Sequence, residues 1–377
     1  MAADPPVKST NTLRTCSVLS LLMMGLLGQA ASAGARGARP AVSVVWQGQT
    51  YVGRIWSQQE KHLWLQLRDG QLVSMPIAAV TSSRPESTFR PVSFIEQREA
   101  LEQAFPRQYE VQGADPYLVV APRGKGQGAA LRLQRLYRQL ITNLTRQGFM
   151  VHAAEFPLIV IVWPDRQAFE AACRHDTVAI SRELRGYYHP ATNRIHTYWH
   201  QEQIAGEPLW DNVLLHEGIH QIAFNIGLHA RTQPPPLWLI EGLATALERE
   251  ALRERTPHQS PLARINPERY ARLQSLLEQP ESLWLQILQQ DDPFQQHPLD
   301  AYAVAWGWTF YLWERRSYEF SRYVAHLQTL ERRTDSAAER LNSFQRFLGP
   351  ASLLIQDCRR FYRELERERQ LVTAQER

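Results

Sequence analysis

His216-Glu217-Gly218-Ile219-His220 lies in an apolar stretch of a 377-residue chain. Two histidines four residues apart share one face of a helix, one turn from each other, a separation at which two imidazoles can bind one tetrahedral Zn²⁺. From its place between them Glu217 does not easily become a further ligand. Its carboxylate reaches the position of a metal-bound water and can accept the proton that water loses on attacking a carbonyl. At this composition chance placement gives about 0.03 such patterns per chain. The apolar residues on both sides, Val213-Leu214-Leu215 and Ile222-Ala223-Phe224, also suit a buried helix better than a solvated one.

A catalytic zinc site needs a third protein ligand and one open position. Glu241, twenty-one residues after His220, stands as a lone carboxylate in Leu237-Trp238-Leu239-Ile240-Glu241-Gly242-Leu243-Ala244. An unpaired carboxylate among apolar side chains is costly, and metal ligation removes the cost. Pairing with an arginine of a neighbouring helix is the alternative. Glu248, two turns further on, is a supporting acid rather than a ligand.

These residues need rigid elements. The histidine segment reads as one helix with Asp211 as its cap and Gly227 as its stop. Glu241 belongs to a second helix started after Pro234-Pro235-Pro236. Ahead of them, strands and helices alternate: strand 117–121, helix 129–147, strand 157–163 and helix 165–173. The aromatic segments Gly186-Tyr187-Tyr188-His189 and Arg194-Ile195-His196-Thr197-Tyr198-Trp199, joined by Pro190-Ala191-Thr192-Asn193, form a β-hairpin. After Leu209 the chain is nearly all helical, broken at prolines and at Gly349-Pro350. Residues 41–81 alternate apolar and polar positions between turn signals, which fits a small SH3-like β-barrel or meander, and 81–91 reads as a linker.

His216-Glu217-x-x-His220 followed by Trp238-Leu239-x-Glu241-Gly242-x-Ala244 resembles the gluzincin metallopeptidases, whose third ligand is a glutamate on the helix after the H-E-x-x-H helix. The hairpin is similar to that of an uncharacterised secreted bacterial branch of this group, known only as a domain of unknown function. The resemblance spans about residues 117–316. It implies Zn²⁺ as cofactor, His216, His220 and Glu241 as its ligands, Glu217 as general base, and the hairpin as a sheet edge along which a peptide lies. It also implies a tyrosine on a later helix donating to the oxyanion, for which Tyr302 is the candidate. Tyr311, Tyr318 and Tyr323 follow closely, and a buried tyrosine is commonly a core residue.

The resulting expectation is an α+β protein: a signal peptide over 1–33, the β module over 41–81, a zincin-like catalytic domain over 92–250 and a helical subdomain over 251–377 that completes the cleft. Lys8 and Arg14, the apolar run 17–27 and Ala31-Ser32-Ala33 suit cleaved export to the periplasm or the outside, with no stable membrane span afterwards. A net charge of +4 spread along the chain argues against nucleic acid as a partner. A peptide or protein substrate is expected, with an envelope partner for the β module. Cys173 and Cys358 allow either one disulfide or two separate buried thiols, and neither sits in a C-x-x-C pair. Gly124-Lys125-Gly126-Gln127-Gly128 lacks the spacing of a phosphate loop. His189, His196 and His200 are read as ordinary hairpin histidines. The competing function is a non-catalytic zinc-binding envelope protein of peptidase-like fold.

Overall fold

The computed structural model describes residues 40–59, 61–200, 203–204, 207–249, 260–330 and 336–375, so the expected export signal lies outside the described residues. The chain divides into two units, Met1–Val92 and Ser93–Arg377.

In the first unit five antiparallel strands, β1 (Pro40–Trp46), β2 (Gln49–Gln59), β3 (His62–Leu67), β4 (Leu72–Pro76) and β5 (Val80–Thr88), run in the order β4-β3-β2-β1-β5. Their alternate residues Val42, Val44, Leu63, Leu65, Met75 and Val80 form one small core. The sheet is open, which corrects the expectation of a barrel: β4 and β5 are its two edges, and no ladder joins them. Residues 81–91 are not a linker either, because β5 pairs with β1 from Val80 to Thr88. Pro85 and the neighbouring polar residues hid the strand. On an edge strand a missing N–H costs no ladder bond, and exposed charged residues guard the edge.

The second unit opens with a helix that sequence patterning did not show, α1 (Phe94–Ala104), started by a reciprocal capping box between Ser93 and Glu96. Strand β6 (Tyr109–Ala114), also unforeseen, forms a hairpin with β7 (Tyr117–Pro122). Helix α2 (Ala129–Arg146), β8 (Leu158–Trp163), α3 (Arg166–His175), β9 (Gly186–His189) and β10 (Arg194–Tyr198) follow as expected. The mixed sheet has the order β6-β7-β8-β10-β9, with β8 parallel to both β7 and β10 and antiparallel pairs at the two margins. Strands β7 and β8 are buried on both faces, as unbroken apolar runs predict. Tyr117, Val119, Val160 and Val162 face the large helical core. Leu118, Val120, Ile159 and Ile161 face α1 through Leu101.

A two-strand pair, β11 (Gln203–Ile204) and β12 (Glu207–Pro208), leads into α4 (Leu209–Asn225), which carries both histidines. The helix begins two residues before Asp211, so Asp211 is not its cap. It lies in the first turn, where a carboxylate suits the helix dipole, and pairs with Arg132 at 3.0 Å. Helix α5 (Leu237–Leu247) carries Glu241 and packs along α9 (Pro298–Arg315). Between them run a 3₁₀ turn (Pro261–Arg264), α6 (Pro267–Gln274), α7 (Ser282–Gln289) and α8 (Pro293–Gln296). The chain continues through α10 (Ser317–Gln328), α11 (Ala337–Leu348) and α12 (Ala351–Gln375). Among the described residues no helix is long and apolar enough to cross a membrane. Cys173 and Cys358 are both buried and free, which favours the two-thiol alternative over a disulfide.

Two contacts lock α9 against the elements around it. Arg264 donates from Nε and Nη2 to the two oxygens of Glu314 at 2.9 and 2.8 Å, a fully buried bidentate pair. Gly242 lets α5 lie almost backbone to backbone on α9: a Cβ there would fall 2.5 Å from the Ala305 carbonyl oxygen and onto the Thr309 hydroxyl. Because backbone lies on the other side, the crowding has no flexible outlet. Gly242→Ala is therefore expected to lower the unfolding free energy by about 1–3 kcal/mol in urea titrations followed by tryptophan fluorescence.

Candidate metal centre

One imidazole stands at the middle of the site, with a carboxylate near each of its nitrogens. Nδ1–H of His216 donates to Oε1 of Glu248 at 2.5 Å, while its Nε2 lies 3.6 Å from Oε2 of Glu241. Both carboxylates come from α5 and its C-terminal cap. Seven residues is two helical turns, so they project from the same side. Nε2 of His220 lies 3.1 Å from Nε2 of His216 and 3.6 Å from the same Glu241 oxygen. His216, His220 and Glu241 each offer one ligand atom within 4.8 Å of the others, a group that can hold a metal ion. Glu241 Oε2, the atom between the two rings, is buried and accepts no hydrogen bond of ordinary length from any described residue. An orphaned carboxylate oxygen costs free energy, and a cation placed among the three atoms removes that cost.

The electrostatics point the same way. Burial alone pushes His216 down, but its polar contacts with Glu241 and Glu248 and the charges of Glu248 and Glu217 overcome it and hold the ring well above the usual histidine range. Burial alone pushes the Glu241 carboxyl up. The charge of His220 and the long polar contacts with both rings bring it far below the usual carboxylate range. The position thus attracts positive charge, a demand that a divalent ion also meets.

Glu217 is anchored to the sheet. Its Oε2 accepts the backbone N–H of Tyr188 at 2.8 Å, the outward donor of edge strand β9. Close approach of α4 to that edge depends on Gly186, where a Cβ would come within 2.7 Å of Val213 and 3.4 Å of the Glu217 side chain. A buried amide network fixes the hairpin further. Asn193, in the left-handed conformation at φ 59°, exchanges side-chain hydrogen bonds with Asn225 at 2.9 and 2.6 Å and accepts the Tyr188 hydroxyl at 2.9 Å. Gln221 Nε2 donates to the Asn193 and Ile159 carbonyls, and Arg231 to those of Pro190 and Ala191. In the sequence Pro190–Asn193 reads as a turn; only the asparagine at its last position hints at more.

Tyr302, on the first turns of α9, faces the group. Burial, then the charges of Glu241 and Glu217, hold its hydroxyl proton well above the usual phenol range. Tyr311 and Tyr323 are buried in the core, whereas Tyr318 is 68% exposed. The structure thus brings His216, His220, Glu241, Glu217 and Tyr302 together, and gives Glu248 the contact to His216 that spacing left undefined. Two more positioning residues escaped the sequence. Asp291 accepts the N–H of Leu237 at 3.1 Å and a 2.7 Å bond from Arg340, capping α5 from a remote loop. Asn266 reaches Glu248 at 3.4 Å.

Of the hairpin histidines, His189 and His196 lie on the other face, near Asp176 at the end of α3, at 4.0 and 3.6 Å. His196 also accepts the Trp163 indole N–H at 3.2 Å and stacks on Tyr187. His200 packs by Tyr198. None of the three joins the metal group. His229, at the end of the α4 segment, is buried with Nδ1 bonded to the Leu228 carbonyl; burial and the charge of His220 push it down to about 3.

Residues 212–334 match a family model described as a protein of unknown function (DUF1570). The match takes in α4 from Asn212 onward, α5 and α9, and with them every residue of the metal group. No curated protein matches the chain.

Two outcomes are expected. By chelator competition with Zn²⁺ or Co²⁺, Glu241→Ala weakens metal binding most, and Glu248→Ala weakens it by about 10–100-fold, since it leaves His216 without its orienting acceptor. The second concerns metal-free protein. His229 is held neutral when folded but titrates near its ordinary value of about 6.5 when unfolded, so its contribution is complete above that pH and is lost as pH falls toward about 3. Wild type is expected to lose up to about 1.4 kcal/mol per pH unit more than His229→Gln below pH 6.5 in denaturant titrations.

Proposed function

We propose that the chain is an exported zinc-dependent peptidase. The observation that carries this reading is the orphaned Glu241 oxygen shared between two imidazole nitrogens, with Glu217 and Tyr302 beside it. Nitrogen and oxygen donors of this kind suit Zn²⁺ and, being three, leave a position open. Zinc held there supplies a Lewis acid that polarises a carbonyl and makes water acidic.

The chain's own residues do the rest. Glu217 takes a proton from the attacking water and passes it to the departing amine. Its hydrogen bond from Tyr188 fixes the carboxylate in place before substrate arrives. An extended peptide added along β9 competes for that same edge N–H, so docking of the backbone and release of Glu217 are linked. Tyr302 keeps its proton, because its burial and the charges of Glu241 and Glu217 disfavour a phenolate, and it donates to the carbonyl oxygen as negative charge develops. Glu248 holds His216 in the tautomer that leaves Nε2 free. Export rests on the signal pattern of residues 1–33, and an envelope partner for the first unit rests on its small open sheet.

Purified protein is expected to hold close to one zinc per chain and to cleave casein or a peptide library in a chelator-sensitive way. Glu217→Gln abolishes cleavage and keeps the zinc; Tyr302→Phe lowers kcat about 10²–10³-fold with little change in KM. Zinc retained with no cleavage of any substrate supports the non-catalytic envelope reading instead, and absence of zinc removes both.

A further inference from the structure

Glu217, Glu241 and Glu248 surround the metal group with negative charge, and one cation stands next to it that the proposed chemistry does not use. Arg269, in the first turn of α6, holds its guanidinium carbon 5.4 Å from the ring centre of Tyr302, the tyrosine that faces Glu241. The backbone beneath it is tied to the same site. Asn266 caps α6 by accepting the Arg269 N–H at 3.2 Å, while its own amide donates to Glu248 and to the Thr245 carbonyl at 3.4 Å each. Arg269 is thus placed from two sides, through Tyr302 to Glu241 and through Asn266 to Glu248.

Its charge is little used. The ion contact it makes is 3.7 Å long, to Glu268, whose side chain is 80% exposed. A pair of that length and exposure contributes almost nothing. Its Nε is buried and finds no acceptor among the described residues. The side chain as a whole is 23% exposed, so part of it is open to solvent. A guanidinium carries five N–H donors in a planar fork that matches a carboxylate. A cation–π contact with Tyr302 takes up none of its N–H donors.

We propose that Arg269 recognises a carboxylate of the substrate, either the free C-terminal carboxylate of a peptide or an acidic side chain close to the bond that is cut. Identification of the ligand as a peptide rests on the peptidase reading; the anion site itself does not. A carboxylate would be repelled by three glutamates without such a cation, so Arg269 separates peptides that carry one at this point from those that do not.

The test uses an N-acetylated, randomised tetrapeptide library in three forms: free acid with neutral side chains, C-terminal amide with neutral side chains, and C-terminal amide with one Asp or Glu. Retention by full-length, zinc-loaded Glu217→Gln protein is measured by ultrafiltration and mass spectrometry. One or both carboxylate forms are expected to be retained about tenfold over the neutral amide, the scale of one charge-assisted hydrogen-bonded pair. Which form is retained tells the two sources apart. Adding Arg269→Gln is expected to bring the preference below about twofold, and Arg269→Lys to restore part of it. Thermal unfolding and zinc content of each variant confirm that fold and metal group are intact.

Equal retention of all three forms, or retention of none, overturns the proposal. So does a preference that survives Arg269→Gln, which would mean that the carboxylate binds the metal. If the Arg269-dependent preference holds while wild-type protein cleaves neither the library nor casein, the peptidase reading fails and the anion site stands. Cleavage by wild type without any preference for a carboxylate overturns the anion site and leaves the peptidase reading in place.

Discussion

Glu241 is a carboxylate with apolar neighbours on its own helix, and its inner oxygen has no hydrogen-bond donor at ordinary length among the described residues. That unmet demand organises the second unit. Helix α4 brings two imidazoles to it, and α9 brings Tyr302. The same helix that carries Glu241 supplies Glu248 to the far nitrogen of His216. A buried charge persists when its surroundings compensate it, and here compensation comes from cationic character between the carboxylates, whether protons or a metal supply it. The close contact at Gly242 sets α5, which carries Glu241, against α9, which carries Tyr302.

The sheet edge is held by a second polar device of a different kind. The side-chain amides of Asn193 and Asn225 bond each other, and that of Gln221 donates to the Asn193 carbonyl within the core. A buried network of this kind fixes one arrangement because any slip strands several donors together. It keeps the Tyr188 N–H aimed at Glu217. The proposed base is thus positioned by the hairpin on one side and by its own helix on the other, both rigid elements.

Opposite faces of the same hairpin serve opposite ends. Gly186 and Tyr188 point to α4 and the metal group, while Tyr187, His189 and His196 point to α3 and Asp176. Strand alternation alone enforces this division. It explains why a cluster of histidines so near the metal group in sequence contributes nothing to it.

The sequence by itself determined the parts of the site that depend on local spacing. The i, i+4 histidines, the isolated Glu241, the alternating strands and helices of residues 117–198 and the hairpin turn all follow from periodicity and from single costly residues. Where a local signal was ambiguous, the pattern misled: Pro85 concealed an edge strand, and Asp211 looked like a cap because its type suits either position. Tertiary structure alone decided that the first unit stays an open sheet, since closure depends on which strands find each other. It also chose Glu248 for His216, Asp291 for the start of α5, and Asn266 and Arg269 as neighbours of the metal group. Those contacts join residues 18 to 54 positions apart, and no pattern within one helix or strand encodes which distant side chain will meet it. Their geometry is set by how the helices pack, and packing is a property of the whole core rather than of any segment.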